Sequence, residues 1–264
     1  MNIWDIPIFI TTGLTSGFLA GLFGIGGGVI LVPAFWIIFS HLGIPESEAI
    51  KLSIGTSLTV ITITTLFTSG SHLLKGNLNA KEIVWLLIWI LGGVCIGIYL
   101  SHRLSGIFLK KIFATLLIIV SLKHLKKSNS TVKKVVPNEK IVIPITIFFS
   151  ALSSALLGIG GGVIVNSFLF SLTNRDVTKI VALSSTVSFL NALFGSIGYL
   201  LVKPETQIPY QIGYVYVPAA IFVSLGALVG SKIGLNLLYR VESRNLKTWF
   251  FLMLMLIAIK ILLS

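Results

Sequence analysis

The chain alternates long apolar runs with short polar breaks. Ten apolar segments stand out: Ile6–Phe23, Gly28–Leu42, Ile50–Leu74, Ile83–Leu100, Ile107–Leu122, Ile141–Leu157, Gly162–Leu172, Ile180–Val202, Tyr214–Ile233 and Leu246–Leu263. Hydrophobicity is continuous within each, whereas the strands of a membrane barrel would alternate, so the pattern predicts helices. About 20 residues cross a bilayer core. Gly162–Leu172 has only 11 residues, which makes about 16 Å of helix, half of such a core. Between the fifth and sixth segments lies Lys123–Lys140, which holds six lysines with Ser, Asn and Pro. It divides the segments into two groups of five and is the one stretch that reads as a linker.

The second group repeats the first. Seven consecutive residues, Gly24–Ile30, recur unchanged as Gly158–Ile164. Lys51 and Lys179 each precede a pair of small hydroxyl residues by five positions, Thr56-Ser57 and Ser184-Ser185. Gly70 answers Gly198, and Gly93 with Gly97 answers Gly226 with Gly230. Transporters are often built from such repeats. The boundaries expected are a first transmembrane repeat over 1–125, a basic cytoplasmic linker over 126–140 and a second transmembrane repeat over 141–264. With an odd number of crossings per group, the repeats are inverted with respect to the membrane.

Composition narrows the class. Of 264 residues 55 % are hydrophobic and 11 % charged, against about 25 % charged in soluble chains. Mean hydropathy is +1.00. A single soluble domain cannot hide that much apolar surface, and a disordered chain or nucleic-acid-binding domain is equally excluded. The net charge of +12 reads as topology, because cytoplasmic loops collect Lys and Arg. With the linker inside, fourteen of the twenty basic residues fall on its side. Arg103, Lys110 and Lys111 run against that trend. The single cysteine, Cys95, excludes an intramolecular disulfide and a Cys-rich metal site. No basic residue precedes Lys51, so the first run lacks the n-region of a signal peptide and is expected to be retained. The fold expected is an all-α polytopic protein of the cytoplasmic (inner) membrane. It has two inverted repeats, with glycine-rich broken helices or hairpins meeting near the midplane. Its partners are the lipid bilayer and a small anion, with no nucleic acid and no cofactor.

The doubled Gly-Ile-Gly-Gly-Gly carries the chemistry. Each glycine costs a helix about 1 kcal/mol against Ala, so the run predicts a hairpin tip or a break inside a span. Irregular backbone at membrane depth is tolerated only when buried in protein or lining a cavity. The helix that follows starts with unpaired N–H groups at Gly26, Gly27 and Gly28, and at Gly160, Gly161 and Gly162, where free donors and the helix dipole favour an anion. The alternative is close helix packing through small residues. In the third segment of each group, Thr56, Ser57, Ser184, Ser185 and Asn191 could replace part of an oxyanion's hydration without adding a fixed charge. Their alternative role is bonding back to helix carbonyls. Lys51 and Lys179 could attract an anion at the pore mouth, or snorkel. Cys95, beside Gly93 and Gly97, reads as small-residue packing. Trp4, Trp36, Trp85, Tyr210, Tyr214 and Trp249 fit interfacial belts.

The two Gly-x-Gly-Gly-Gly runs, Pro33 after the first, and the hydroxyl pairs after Lys51 and Lys179 resemble the sulfite exporter TauE/SafE family over nearly the whole chain. The second copy lacks the proline and has Asn166 nearby. The resemblance implies secondary transport, as export, of small sulfur-containing anions: sulfite, sulfoacetate or another organosulfonate, or thiosulfate. No catalytic constellation, metal cluster or Walker-type Gly-Lys-Ser/Thr occurs in the sequence, and the expectation is that the chain is not an enzyme. An anion channel and a membrane scaffold partner are the other classes. A channel would conduct without saturation at low concentration, and a scaffold would tolerate filled glycine tips.

Overall fold

The computed structural model describes residues 5–23, 27–74, 80–126, 139–173 and 177–238, with a few single positions between 252 and 259. Most of the linker, Gly26 and most of the tenth segment lie outside these residues. Among the described residues are nine helices: α1 (Asp5–Phe23), α2 (Gly28–His41), α3 (Glu46–Leu74), α4 (Ala80–Arg103), α5 (Gly106–Lys126), α6 (Glu139–Leu157), α7 (Gly162–Leu172), α8 (Val177–Leu201) and α9 (Val217–Leu238). They follow the first nine apolar segments to within a few residues. Five are long and apolar enough to cross a membrane, over Glu46–Phe67, Glu82–Arg103, Glu139–Leu157, Lys179–Leu201 and Val217–Gly234. The molecule is a multi-pass integral membrane protein. Its outward faces carry large apolar side chains, Ile88 and Phe67 among them, as lipid contact requires.

One segment starts later than its hydropathy suggests. Tyr214 belongs to a β-hairpin, β1 (Gln211–Ile212) against β2 (Val215–Tyr216), with Ile212 opposite Val215. Tyr210 and Gly213 take left-handed φ of 66° and 55°, which helical geometry does not accept. The helix therefore waits for Val217, with Pro218 in its first turn, where its missing N–H costs nothing. Tyr214 is buried, so it is no interfacial anchor. Cys95 also departs from expectation: it is exposed, whereas Gly93 and Gly97 face α6.

Helix packing is set by small residues. A Cβ at Gly13, Gly17 or Gly21 of α1 would strike the backbone of Val223, Ala227 or Ser231 of α9. Both series advance by four in the same direction, so α1 and α9 run parallel with backbones in contact. The same holds for α4 and α6, where Gly93 meets Phe148 and Ala151, and Gly97 meets Leu152 and Ala155. Between these pairs α3 and α8 run antiparallel: Gly55 meets Tyr199 and Gly195 meets Leu58.

This packing orients two helical hairpins. The rings of Phe9 in α1 and Phe39 in α2 lie 6.1 and 5.6 Å from that of Tyr216, so both open ends of α1–α2 sit beside the β-hairpin. The C-terminal end of α4 is there too, because Ser101 takes the Tyr199 hydroxyl at 2.7 Å. Since α6 is parallel to α4, it starts at the opposite end, and α7 returns toward that end to join α8. The two hairpins thus enter from opposite ends, and Gly28 at the start of α2 packs against Gly158 and Ile159. At the β-hairpin end, Lys110 pairs with Glu46 at 2.7 Å and lies 4.4 Å from the Trp36 ring centroid. Arg103 lies over the Tyr99 ring at 5.5 Å. Lys110, one of the residues that run against the charge trend, is thus paired locally.

Candidate functional site

Where both copies of the glycine motif are described, at Gly27 and Gly161, their geometry matches. Gly27 and Gly161 have φ of 76° and 81° and cap α2 and α7 without a side-chain bond. Gly27 accepts from the N–H groups of Ile30 and Leu31 at 3.0 and 3.1 Å. Gly161 accepts from Ile164 and Val165 at the same distances. Gly158 and Gly160, with φ of 69° and 77°, complete the second turn. A side chain other than glycine is strained in this region. Helix geometry leaves the N–H groups of Gly28 and Val29, and of Gly162 and Val163, without partners in their own helices.

The turns meet beside the middle of α3. A Cβ on Gly28 would lie 2.6 Å from Ile61 Cδ1 and 2.8 Å from Ile159 Cα, and one on Gly160 would lie 3.0 Å from Ile61 Cγ2. Ile61 is near the centre of α3. Among the described residues Gly28 packs tightly against Gly158 and Ile159 of the second turn.

Side chains from three helices hold the carbonyls of the second turn. Ser57 donates to Gly158 at 2.9 Å, Ser150 to Gly161 at 2.9 Å and Ser184 to Gly162 at 3.1 Å. The amide nitrogen of Asn191 lies 3.3 Å from Ser150 Oγ and 3.4 Å from the Gly160 carbonyl. All four side chains are buried. Asn191 Oδ1 has no partner among the described residues. The carbonyls of 158 and 160 to 162 are thus engaged by side chains, while the first N–H groups of α7 have no partner in their own helix. A surface of that kind suits an anion.

The structure therefore brings Gly27, Gly28, Gly160, Gly161, Gly162, Ser57, Ser184 and Asn191 together. Gly26 lies outside the described residues. Thr56 points elsewhere: its hydroxyl accepts the N–H of Tyr216 at 3.0 Å and anchors the β-hairpin to α3. Ser185 donates to Ala182 of its own helix at 2.9 Å. The matched hydroxyl pairs thus do unequal work. Ser57 reaches across to the other half, and in the second half it is Ser184 that meets the turn.

Ser150 was not singled out by the sequence. Its signal was available: Ser16 and Ser150 stand at the same distance before their glycine runs, and both are buried. A second group was also hidden. Glu48, Lys51, Tyr199 and Tyr214 are all buried at the β-hairpin end. The Tyr214 hydroxyl lies 3.3 Å from Glu48 Oε1, and Lys51 Nζ lies 5.9 Å from the Tyr214 ring centroid. Burial, and then the Glu48 carboxylate, hold the Tyr214 phenol above its ordinary range. Burial, followed by Asp5 and Tyr210, raises Tyr216 as well.

Comparison with known proteins agrees with this architecture. The family model described as sulfite exporter TauE/SafE matches residues 9–261. A probable membrane transporter protein of Methanocaldococcus jannaschii is 30 % identical over 92 % of this chain and 90 % of its own length. One from Haemophilus influenzae is 30 % identical over 98 % of both chains. The probable membrane transporter protein YunE of Bacillus subtilis is 22 % identical over 97 % of this chain and 96 % of its own. No solved structure matches significantly.

Proposed function

The chain belongs to the sulfite exporter TauE/SafE family, and from that premise we propose that it is a secondary transporter that exports small sulfur-containing anions: sulfite, an organosulfonate such as sulfoacetate, or thiosulfate. The observation that carries the reading is the pair of opposed glycine turns. Each starts a helix whose first N–H groups have no partner in that helix, and four side chains hold the carbonyls of Gly158 and Gly160–162 in the second turn. Those N–H groups are then the groups offered to a ligand. A helix start contributes about half an elementary charge, enough to attract an oxyanion and weak enough to release it.

The reciprocal packing supports two inverted repeats, over 1–125 and 141–264, joined by a cytoplasmic linker. The first helix of each half lies parallel to the fourth helix of the other, and the two third helices cross at the centre. The turns then fall near the bilayer midplane. Their tight contact favours a carrier over a channel, because a carrier must close on one side before opening on the other, whereas a channel needs a continuous path.

In this reading Gly27, Gly28 and Gly160–162 supply backbone donors to the anion. Ser57, Ser184 and Asn191 hold the turn in shape. Thr56 and Ser185 contribute through the helices they brace. The test is counterflow of labelled sulfite, thiosulfate and sulfonates in proteoliposomes. Saturable exchange is expected, and it is lost in Gly27→Val and Gly161→Val proteins that still insert. Wild-type exchange in both variants, with substrate bound away from the turns, would defeat the assignment.

A further inference from the structure

At the β-hairpin end a small cavity is lined by Lys51, Ser101, His102, Tyr199 and Tyr214. Lys51 is only 6 % exposed, and among the described residues it makes no ion pair. Its sequence counterpart Lys179 is exposed. Removing a cation from water is costly unless something of opposite charge compensates it, and a ring centroid 5.9 Å away does so weakly. Glu48, one helical turn earlier, has Oε1 beside the Tyr214 hydroxyl. Lys51 is therefore a cation with a largely buried side chain and no ion pair among the described residues, at the edge of a cavity no larger than one water in this conformation.

The position has a direction. Ser57, which holds the Gly158 carbonyl, is six residues further along α3, about 9 Å of helix. Between the two levels stands Tyr199. Its hydroxyl lies 2.7 Å from Ser101 Oγ in α4 and 2.9 Å from the Ala155 carbonyl in α6, three residues before the glycine turn. Tyr199 ties α8 to α4 and α6 directly between the Lys51 cavity and the turn. The cavity holds no more than one water in this conformation, which is how a closed entrance looks.

We propose that Lys51 is a second anion-binding group, one turn and a half outside the glycine site, and that the Tyr199 contacts separate the two until they part. The ligand class is a small oxyanion, attracted by one ammonium; the Ser101 and Tyr199 hydroxyls, bonded here to Ile98, Ala155 and each other, donate to it only once those contacts part. As an outer station for the transported anion the proposal rests on the transport reading above. As a binding site it stands without it.

The test uses the full-length protein in two arms. In proteoliposomes, Lys51→Met raises KM for sulfite about tenfold while the maximal rate changes little, because uniform binding is what it removes. Lys51→Arg restores KM, and Glu48→Gln lowers it by removing the nearby negative charge. Opposite signs at neighbouring positions are not what general misfolding produces. In detergent, sulfite and sulfate raise the melting temperature of the wild type and of Gly161→Val; Lys51→Met alone diminishes that shift, and added to Gly161→Val it removes it. If the wild type moves no sulfur anion, the transport reading fails while this second arm still decides the site. A wild-type KM in Lys51→Met, an undiminished melting shift in that variant, or no shift in the wild type would each overturn the proposal.

Discussion

Single residues carry the turn, and backbone conformation sets their tolerance. Gly161 sits at φ 81° with Ser150 and Asn191 against the place of a Cβ. Gly161→Ala is expected to cost about 1–3 kcal/mol and to abolish transport, measured by thermal unfolding and counterflow of the inserted protein. Gly70, with nothing within 4 Å of its Cβ position, is expected to accept Ala without loss. The hydroxyls divide in the same way. Ser57→Ala and Ser184→Ala each leave a buried carbonyl of the turn without its donor, a loss of roughly 1–3 kcal/mol that weakens substrate affinity. Ser185→Ala removes only a bond within its own helix and should bind as the wild type does. A pH prediction follows for Tyr214. Its phenol is raised in the folded protein, while in the unfolded chain it ionises near pH 10. Its contribution to stability is therefore complete below about pH 10 and is lost as pH rises through the folded value. The phenolate absorbance of the wild type minus that of Tyr214→Phe should show no step at ordinary tyrosine pH.

At the level of elements, glycine decides which helices touch. Parallel contact of α1 with α9 and of α4 with α6 brings backbones together, the packing that small residues allow where lipid gives no hydrophobic drive. Gly17→Leu in the first pair and Gly93→Leu in the second should each force the helices apart and lower the melting temperature by several degrees, a shift of ~1 kcal/mol or more in a chain of this size. Gly92, which meets only the Phe148 ring at 3.7 Å or beyond, is the control and should tolerate Ala. Comparable melting temperatures for Gly17→Leu, Gly93→Leu and Gly92→Ala would contradict this account of the packing.

For the whole molecule, the expectation concerns sidedness. In the proposed topology, with the linker inside, fourteen of the twenty basic residues of the sequence fall on its side, and Lys110, which falls on the other, pairs with Glu46. In a protein with Cys95 replaced by Ser, a single cysteine at Asn2 should react with an impermeant reagent from outside, and one at Ser130 only from the cytoplasmic side. Labelling of both from the same side would contradict the inverted arrangement. Cys95 itself is exposed on α4, so its replacement should leave the melting temperature unchanged.

Hydropathy by itself determined nine helices to within a few residues, because in a bilayer the backbone must satisfy itself within each apolar run. The doubled glycine run pointed to a break before α2 and α7, since residues other than glycine rarely adopt the left-handed conformation seen at Gly27 and Gly161. Neither could determine partners. That α1 pairs with α9, and α6 with α4, depends on close approach of glycines to partners more than two hundred or some fifty residues away in the chain. Whether a hydroxyl meets a turn carbonyl or its own helix, as Ser184 and Ser185 do, is a matter of helix rotation that identical residue types cannot reveal. The burial of Glu48 and Lys51 was invisible for the same reason. At the end of an apolar run a charge reads as solvated, and only the β-hairpin folded over it removes it from water.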